Sequence, residues 1–234
     1  MIKYLFAVLL SAIVHSFCFG QKTDVGNWFI YFGNQKINDK WSLWNEVQYR
    51  NFNVVGDLEQ LLVRTAIGYN LSENNNVVHL GYAFIHSEPY IAGTNDKRNI
   101  NENRIYQQFL TRQQFGRVFL SHRYRFEQRF FTDDFKMRGR YFLSLNLPLN
   151  HSTMARNTVY LSAYNEIFLN LKSPVFDRNR LYGAIGYVIN PYLRLEVGVM
   201  SQIFEKTNRP QGQIALFNNI PFSNSSNKNI NKKS

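Results

Sequence analysis

The stretch Ser121 to Phe131, SHRYRFEQRFF, alternates with period two. Arg123, Arg125, Glu127 and Arg129 fall on one parity, and Leu120, Tyr124, Phe126 and Phe130 on the other. Successive side chains of an extended chain point to opposite faces, so this pattern is a β-strand set between two unlike media. A helix would spread the same residues around its axis and separate nothing.

The pattern recurs along the chain. Trp41, Leu43, Val47 and Tyr49 oppose Ser42, Glu46, Gln48 and Arg50; Leu61, Val63, Ile67 and Tyr69 oppose Gln60, Arg64, Ala66 and Gly68. Val78, Leu80, Tyr82 and Phe84 oppose His79, Gly81 and Ala83, and Tyr141, Leu143, Leu145 and Leu147 oppose Arg140, Ser144 and Asn146. Val159, Leu161, Ala163 and Ile167 oppose Ser162, Tyr164 and Glu166; Leu193, Leu195, Val197 and Val199 oppose Arg194, Glu196, Gly198 and Gln202. Weaker strands, with aromatics on both edges, are read at Trp28–Ile37, Arg104–Phe115, Arg180–Asn190 and Gln213–Phe222. No sustained helical period and no longer repeat is present.

Short connections (IND, SENN, FGR, INP) alternate with longer polar ones (NVVGD, SEPYIAGTNDKRNIN, TDDFK, KSPVFDRN, EKTNRPQ), and NHSTMARN is longer than its place predicts. This is the layout of an all-β, single antiparallel up-and-down barrel of about 10–12 strands. The count is eleven, and antiparallel closure with both ends on one side requires an even number. Trp28–Ile37, the least clear strand, is therefore the one expected to stand outside the wall or to have a missed partner.

The first twenty residues differ in kind. A Lys near the start, an apolar run from Tyr4 to Val14 and small residues at Cys18 and Gly20 have the layout of a secretory signal peptide, cleaved between Gly20 and Gln21. The apolar run is too short to span a bilayer as a helix, and bulky Phe17 argues against acylation at Cys18. Cleavage leaves a cysteine-free chain, so an exported protein must hold together without disulfides. The expected organisation is a leader over 1–20, a barrel over 21–222 and a polar Asn/Ser/Lys tail over 223–234.

Alternation alone does not decide which face is the interior. A soluble lipocalin-like carrier would turn its apolar row inward; an outer-membrane barrel turns it to lipid and keeps a polar lumen. Strands of ten to thirteen residues match the nine to eleven that cross a bilayer when tilted. All eleven Lys lie in the leader, turns, strand edges or tail, whereas mid-strand charges are Arg and Glu. A confined lumen favours the guanidinium, whose five donors serve several acceptors at once. Trp41, Tyr49, Tyr69, Phe84, Phe130 and Tyr141 occupy the apolar parity where interfacial girdles belong. The chain is therefore expected to be exported through the inner membrane and embedded in the outer one, with its arginines facing in. The net charge of +11 forms no single basic patch, so nucleic acid is not an expected partner.

The segments WSLWNEVQYR (Trp41–Arg50), RYRFEQRFF (Arg123–Phe131) and RGRYFLSLNLP (Arg138–Pro148) resemble a family of uncharacterised Gram-negative outer-membrane barrels, domain of unknown function 2490. The resemblance covers nearly all of the chain after the leader. It implies an outer-membrane location and a single barrel, and it implies no activity. The tail after Phe222 departs from the usual barrel ending.

No phosphate loop, nucleotide fingerprint or Cys/His metal spacing is present, so no cofactor or metal is expected. A lipid-modifying enzyme, the alternative in another class, needs a serine beside an oriented histidine. His122 lies on the apolar parity, with Phe109 or Leu110 expected on one side and Leu145–Leu147 on the other, and no serine is placed to be activated. It reads as a girdle histidine. His79 reads as an inward residue satisfying a lumen carboxylate. The candidate site is a lumen charge network of Glu46, Arg50, Arg64, Arg112, Arg123, Arg125, Glu127, Arg129, Arg140, Glu166, Arg194 and Glu196: eight arginines against four glutamates, an excess of +4. In one reading Arg123, Arg125, Arg129 and Arg140 pair with Glu127, Glu46 and Glu166 into a structural plug. In the other the same groups line a narrow path for a small anionic solute. Both are non-enzymatic, and outer-membrane lipid is the expected surrounding partner.

Overall fold

Alternation becomes eleven strands in the computed structural model, which describes residues 25–72 and 75–222. They are β1 (Gly26–Lys36), β2 (Trp41–Asn51), β3 (Leu58–Asn70), β4 (Asn76–Ser87), β5 (Ile100–Phe115) and β6 (Val118–Phe130). β7 (Phe135–Pro148), β8 (Val159–Asn170), β9 (Phe176–Asn190), β10 (Leu193–Ile203) and β11 (Asn208–Asn218) complete the wall. Each strand pairs antiparallel with its sequence neighbours and the sheet closes on itself. The predicted leader, residues 1–20, and the tail, residues 223–234, lie outside the described residues.

The expectation of an even number is overturned. β1 is in the wall, antiparallel to β2 on one side and parallel to β11 on the other, from Gly26 opposite Gln211 to Gly33 opposite Asn218. Eleven strands place β1 and β11 in the same direction, and one parallel pair closes the ring with the evenly spaced, slanted bonds of that ladder. β1 was hard to read because Trp28, Ile30 and Phe32 point in while Phe29 and Tyr31 point out, leaving no contrast between its edges.

Several strands begin earlier than the alternation suggested. β3 starts at Leu58, ahead of Gln60, so that it takes in Glu59, and β5 starts at Ile100, β7 at Phe135, β9 at Phe176 and β11 at Asn208. Polar side chains on both faces near the rim hide the period, yet the ladder continues through them. One rim, the loop rim, consequently keeps a single long connection, residues 88–99. The opposite turn rim carries the Gly116 hairpin and the ten residues 149–158. Arg117 ties that excursion down by donating to the carbonyls of Pro148, Leu149 and His151 at 2.7, 2.9 and 3.0 Å.

Outward positions are large and apolar around the wall; Leu80 and Ile185 are 60% and 62% exposed. Inside, Trp28, Ile30, Tyr182, Met200 and Ala215 form one apolar cluster, and Leu62, Ala66, Ala83, Ile85 and Tyr106 another. Charged residues fill the space between. Two glycines make room for these inner aromatics: a Cβ on Gly81 would meet the Tyr106 ring at 2.3 Å, and one on Gly186 the Tyr160 ring at 2.1 Å.

Candidate functional site

Glu127 on β6 is 1% exposed and gathers charge from three strands. Arg138 donates to it at 2.7 Å and Arg140 at 2.6 Å, both from β7, while Arg125 and Arg104 approach to 3.6 and 3.8 Å. Arg140 also donates to Glu166 on β8 at 2.7 Å, joining the two carboxylates. Glu166 accepts from Arg123 at 2.7 Å and lies 3.8 Å from Arg180. Period two on adjacent strands builds this lattice, since Arg125 faces Arg140 and Phe142 faces Glu166 in the register.

Four expected partnerships are different in the structure. Arg129 binds Glu102 at 2.6 Å, and the same carboxylate holds Arg104. Glu46 pairs with Arg64 at 3.3 Å instead of joining the Glu127 group. His79 contacts Gln108 at 3.3 Å rather than a carboxylate, and Gln108 also accepts from Arg125 at 2.9 Å. His122 lies opposite Thr111 and Leu143, one or two residues from its expected neighbours, and contacts the Tyr141 hydroxyl at 2.9 Å. Tyr141 sits mid-strand in β7 and is not a girdle residue.

Six charged groups that the sequence reading did not count join the lumen: Glu102, Arg138, Asp177 and Arg178 in the strand extensions, and Arg104 and Arg180 at the first positions of strands already read. Asp177 enters the lumen through a bulge in β9, where Phe168 opposes Arg178 and Leu169 opposes Phe176. It accepts from Arg138 at 2.7 Å. Arg104 and Arg180 alternate in step with Tyr106 and Tyr182, the signal that would have placed them. With these six the lumen holds twelve arginines and six carboxylates, an excess of six cations rather than four.

Aromatic faces take up part of that excess, because a ring face attracts a cation electrostatically. The Phe168 ring has the guanidinium carbons of Arg140, Arg180, Arg138 and Arg178 at 4.4, 4.7, 5.1 and 5.9 Å. Arg50, which binds Gln60 at 2.6 Å, stacks over Trp28 at 3.8 Å, with Arg180 on the same indole at 4.8 Å.

Two arginines toward the turn rim are handled differently. Arg194 lies over Phe217 at 4.3 Å, and its buried Nε has no hydrogen-bond partner among the described residues. The neighbouring Glu196 is engaged by the Tyr160 hydroxyl at 2.9 Å. The Arg112 guanidinium has no ion pair, hydrogen bond or ring contact among the described residues, and it lies close enough to Arg194 to feel its charge. Both border a cavity of about 730 Å³ whose walls run from Asn146 and Asn219 at the turn rim to Glu59 and Ser87 at the loop rim.

The loop rim is braced by its own charges. Lys97 reaches Asp57 at 2.5 Å and Glu88 at 3.6 Å, and Arg209 binds Glu59 at 2.8 Å. Burial alone would lower the Lys97 amine, but the Asp57 hydrogen bond and the charges of Asp57, Tyr90 and Glu88 outweigh it and raise its pKa. Among the described residues no group of three or more His, Cys, Asp or Glu is placed to hold a metal ion.

A closed barrel with this filled, arginine-rich lumen matches a family model over residues 25–213, most of the chain. The chain belongs to that family, which is described as protein of unknown function (DUF2490). No curated protein and no solved structure matches it.

Proposed function

We propose that this chain is a non-enzymatic outer-membrane barrel whose lumen passes small anions. The carrying observation is the inversion of sides: guanidiniums and carboxylates fill the interior while an apolar row covers the exterior. A water-surrounded barrel has no reason to adopt that arrangement, because its charges would be solvated outside.

Polar side chains on the outer face add support. Gln107 and Gln128 bond each other reciprocally at 3.4 and 3.2 Å, Asn165 and Asn179 at 2.7 and 3.2 Å, and the Tyr82 hydroxyl donates to Asn103 at 2.5 Å. Water would satisfy such groups singly; hydrocarbon leaves each unpaired one costing several kcal/mol. Strands of 11 to 16 residues meet or exceed the length needed to cross. The cavity reaches both rims, and about 730 Å³ spread over an apolar band ~25 Å tall gives a mean section on the order of 30 Å², room for small ions in file. Six uncompensated guanidiniums along that path concentrate anions.

A second reading, a closed plug, is favoured by Glu127, which four arginines surround in the middle of the lumen. Purified protein in a planar bilayer separates the two. A passage gives small steps whose reversal potential in a salt gradient is that of an anion; a plug gives no steady conductance. Cation-selective steps contradict both, and recovery of the protein in the soluble periplasmic fraction contradicts the membrane reading.

A further inference from the structure

We infer that the turn-rim end of the lumen holds a binding site for a singly protonated phosphate group, gripped by Arg112 and Arg194. The site deepens the passage reading but needs only the closed lumen, not ion flow. Its basis is an asymmetry in how the interior charges are matched. In the middle of the barrel and toward the loop rim every lumen carboxylate has an arginine, and Glu127, Glu166 and Glu102 are each within 4 Å of two or more guanidiniums. Toward the turn rim the pattern stops. Among the described residues Arg112 contacts no carboxylate, Arg194 has a ring face and an unpartnered buried Nε, and Glu196 is engaged by Tyr160. Two like charges that feel each other across a confined space are costly without an intervening anion.

The other groups bordering this end specify the anion. Ser121 stands opposite Arg112 in the ladder, and Ser144 opposite Ser121, so two hydroxyls lie beside the guanidinium on the cavity wall. Asn146, the next inward residue on β7, carries a buried Oδ1 with no hydrogen-bond partner among the described residues. An acceptor without a donor is a penalty unless the ligand brings a proton. A phosphate dianion brings two negative charges for the two arginines and one P–OH for Asn146. Sulfate has the charges and no proton, so Asn146 turns against it. The closed wall separates the lumen from lipid, which makes the ligand dissolved inorganic phosphate and not a headgroup.

Titration calorimetry on the folded full-length barrel in a phosphate-free maltoside detergent, with inorganic phosphate as probe, tests the site. The pH is set so that phosphate is a singly protonated dianion. Saturable binding is expected, at least about tenfold tighter than sulfate, as a charge-assisted donor and acceptor set provides. Arg112→Gln and Arg194→Gln each weaken it at least about tenfold, whereas Arg156→Gln, an exposed charge loss on the 149–158 excursion, stays within about twofold. Asn146→Ala keeps phosphate binding but brings sulfate level with it. Phosphatidic acid held in vesicles does not compete. Absence of saturable binding, equal affinity for sulfate, equal loss in Arg156→Gln or competition by the vesicle lipid each overturns the proposal. A wild type that is silent in bilayers yet binds phosphate retires the passage and leaves the site standing.

Discussion

Glu127 shows how much one side chain carries in this interior. It is 1% exposed, and its two oxygens accept from Arg138 and Arg140 while Arg104 and Arg125 stand within 4 Å. Glu127→Gln keeps the shape and removes the charge, leaving these guanidiniums desolvated and undercompensated. Losing one partner of a buried network costs about 3–5 kcal/mol. Glu59 is the informative contrast, since it faces a single arginine at 2.8 Å and is 21% exposed at the loop rim. Water replaces most of what Glu59→Gln removes, so its cost is under about 1 kcal/mol. Urea unfolding of the two variants in lipid vesicles measures both, and equal shifts of midpoint would show that the Glu127 lattice is solvated.

Strand by strand, the interior depends on matching large residues to small ones across the ladder. Tyr160 on β8 lies over Gly186 on β9, its direct partner, and no Cβ fits beneath the ring. Gly186→Val therefore overpacks the lumen and lowers stability by about 1–3 kcal/mol. Combined with Tyr160→Ala, the same substitution should cost less than the sum of the two changes, because the clash is then absent; additive losses in a double-mutant cycle would refute the pairing. The same ladder explains what the sequence made legible. Where one edge was apolar and the other charged, as in β2, β3 and β6, the facing of Glu46, Arg64, Arg123, Arg125 and Glu127 followed from parity alone. Where inner aromatics matched outer ones, as in β1, or polar residues occupied both edges, as at Ile100–Arg104 and Phe176–Arg180, parity had no contrast to read. Glu102, Arg138 and Asp177 were lost in this way, and with them the true partner of Arg129. Cross-strand pairing depends on register, which the alternation does not encode, and so His79 and His122 received the wrong neighbours.

The closure of the whole barrel rests on one parallel seam, the feature least expected from an up-and-down order. A wall of β2–β11 alone, ten strands, would have been antiparallel throughout and would have left β1 outside. What includes β1 is its inner row: Trp28, Ile30 and Phe32 continue the surface of Gln213, Ala215 and Phe217, and Trp28, Ile30 and Ala215 are all buried in one cluster. Excluding β1 would expose that cluster and remove the indole on which Arg50 and Arg180 lie. The two closures differ in which strand touches β11, and engineered thiols report this directly, since the only cysteine, Cys18, falls in the predicted leader. Tyr31 and Leu216 are partners across the seam, and adjacent strands stand ~4.8 Å apart. That is within the Cα separation of about 4.4–6.8 Å that a disulfide spans. Tyr31→Cys with Leu216→Cys should therefore cross-link on mild oxidation of the folded protein, giving a species of altered gel mobility that reductant reverses. Leu216→Cys combined with a cysteine at Leu43, Val47 or Tyr49 of β2 should not, because two strand spacings, roughly 9.6 Å, exceed the bridging distance. Cross-linking of β11 to β2 without β1 would establish the ten-stranded wall, and the lumen would then have to be redrawn without Trp28.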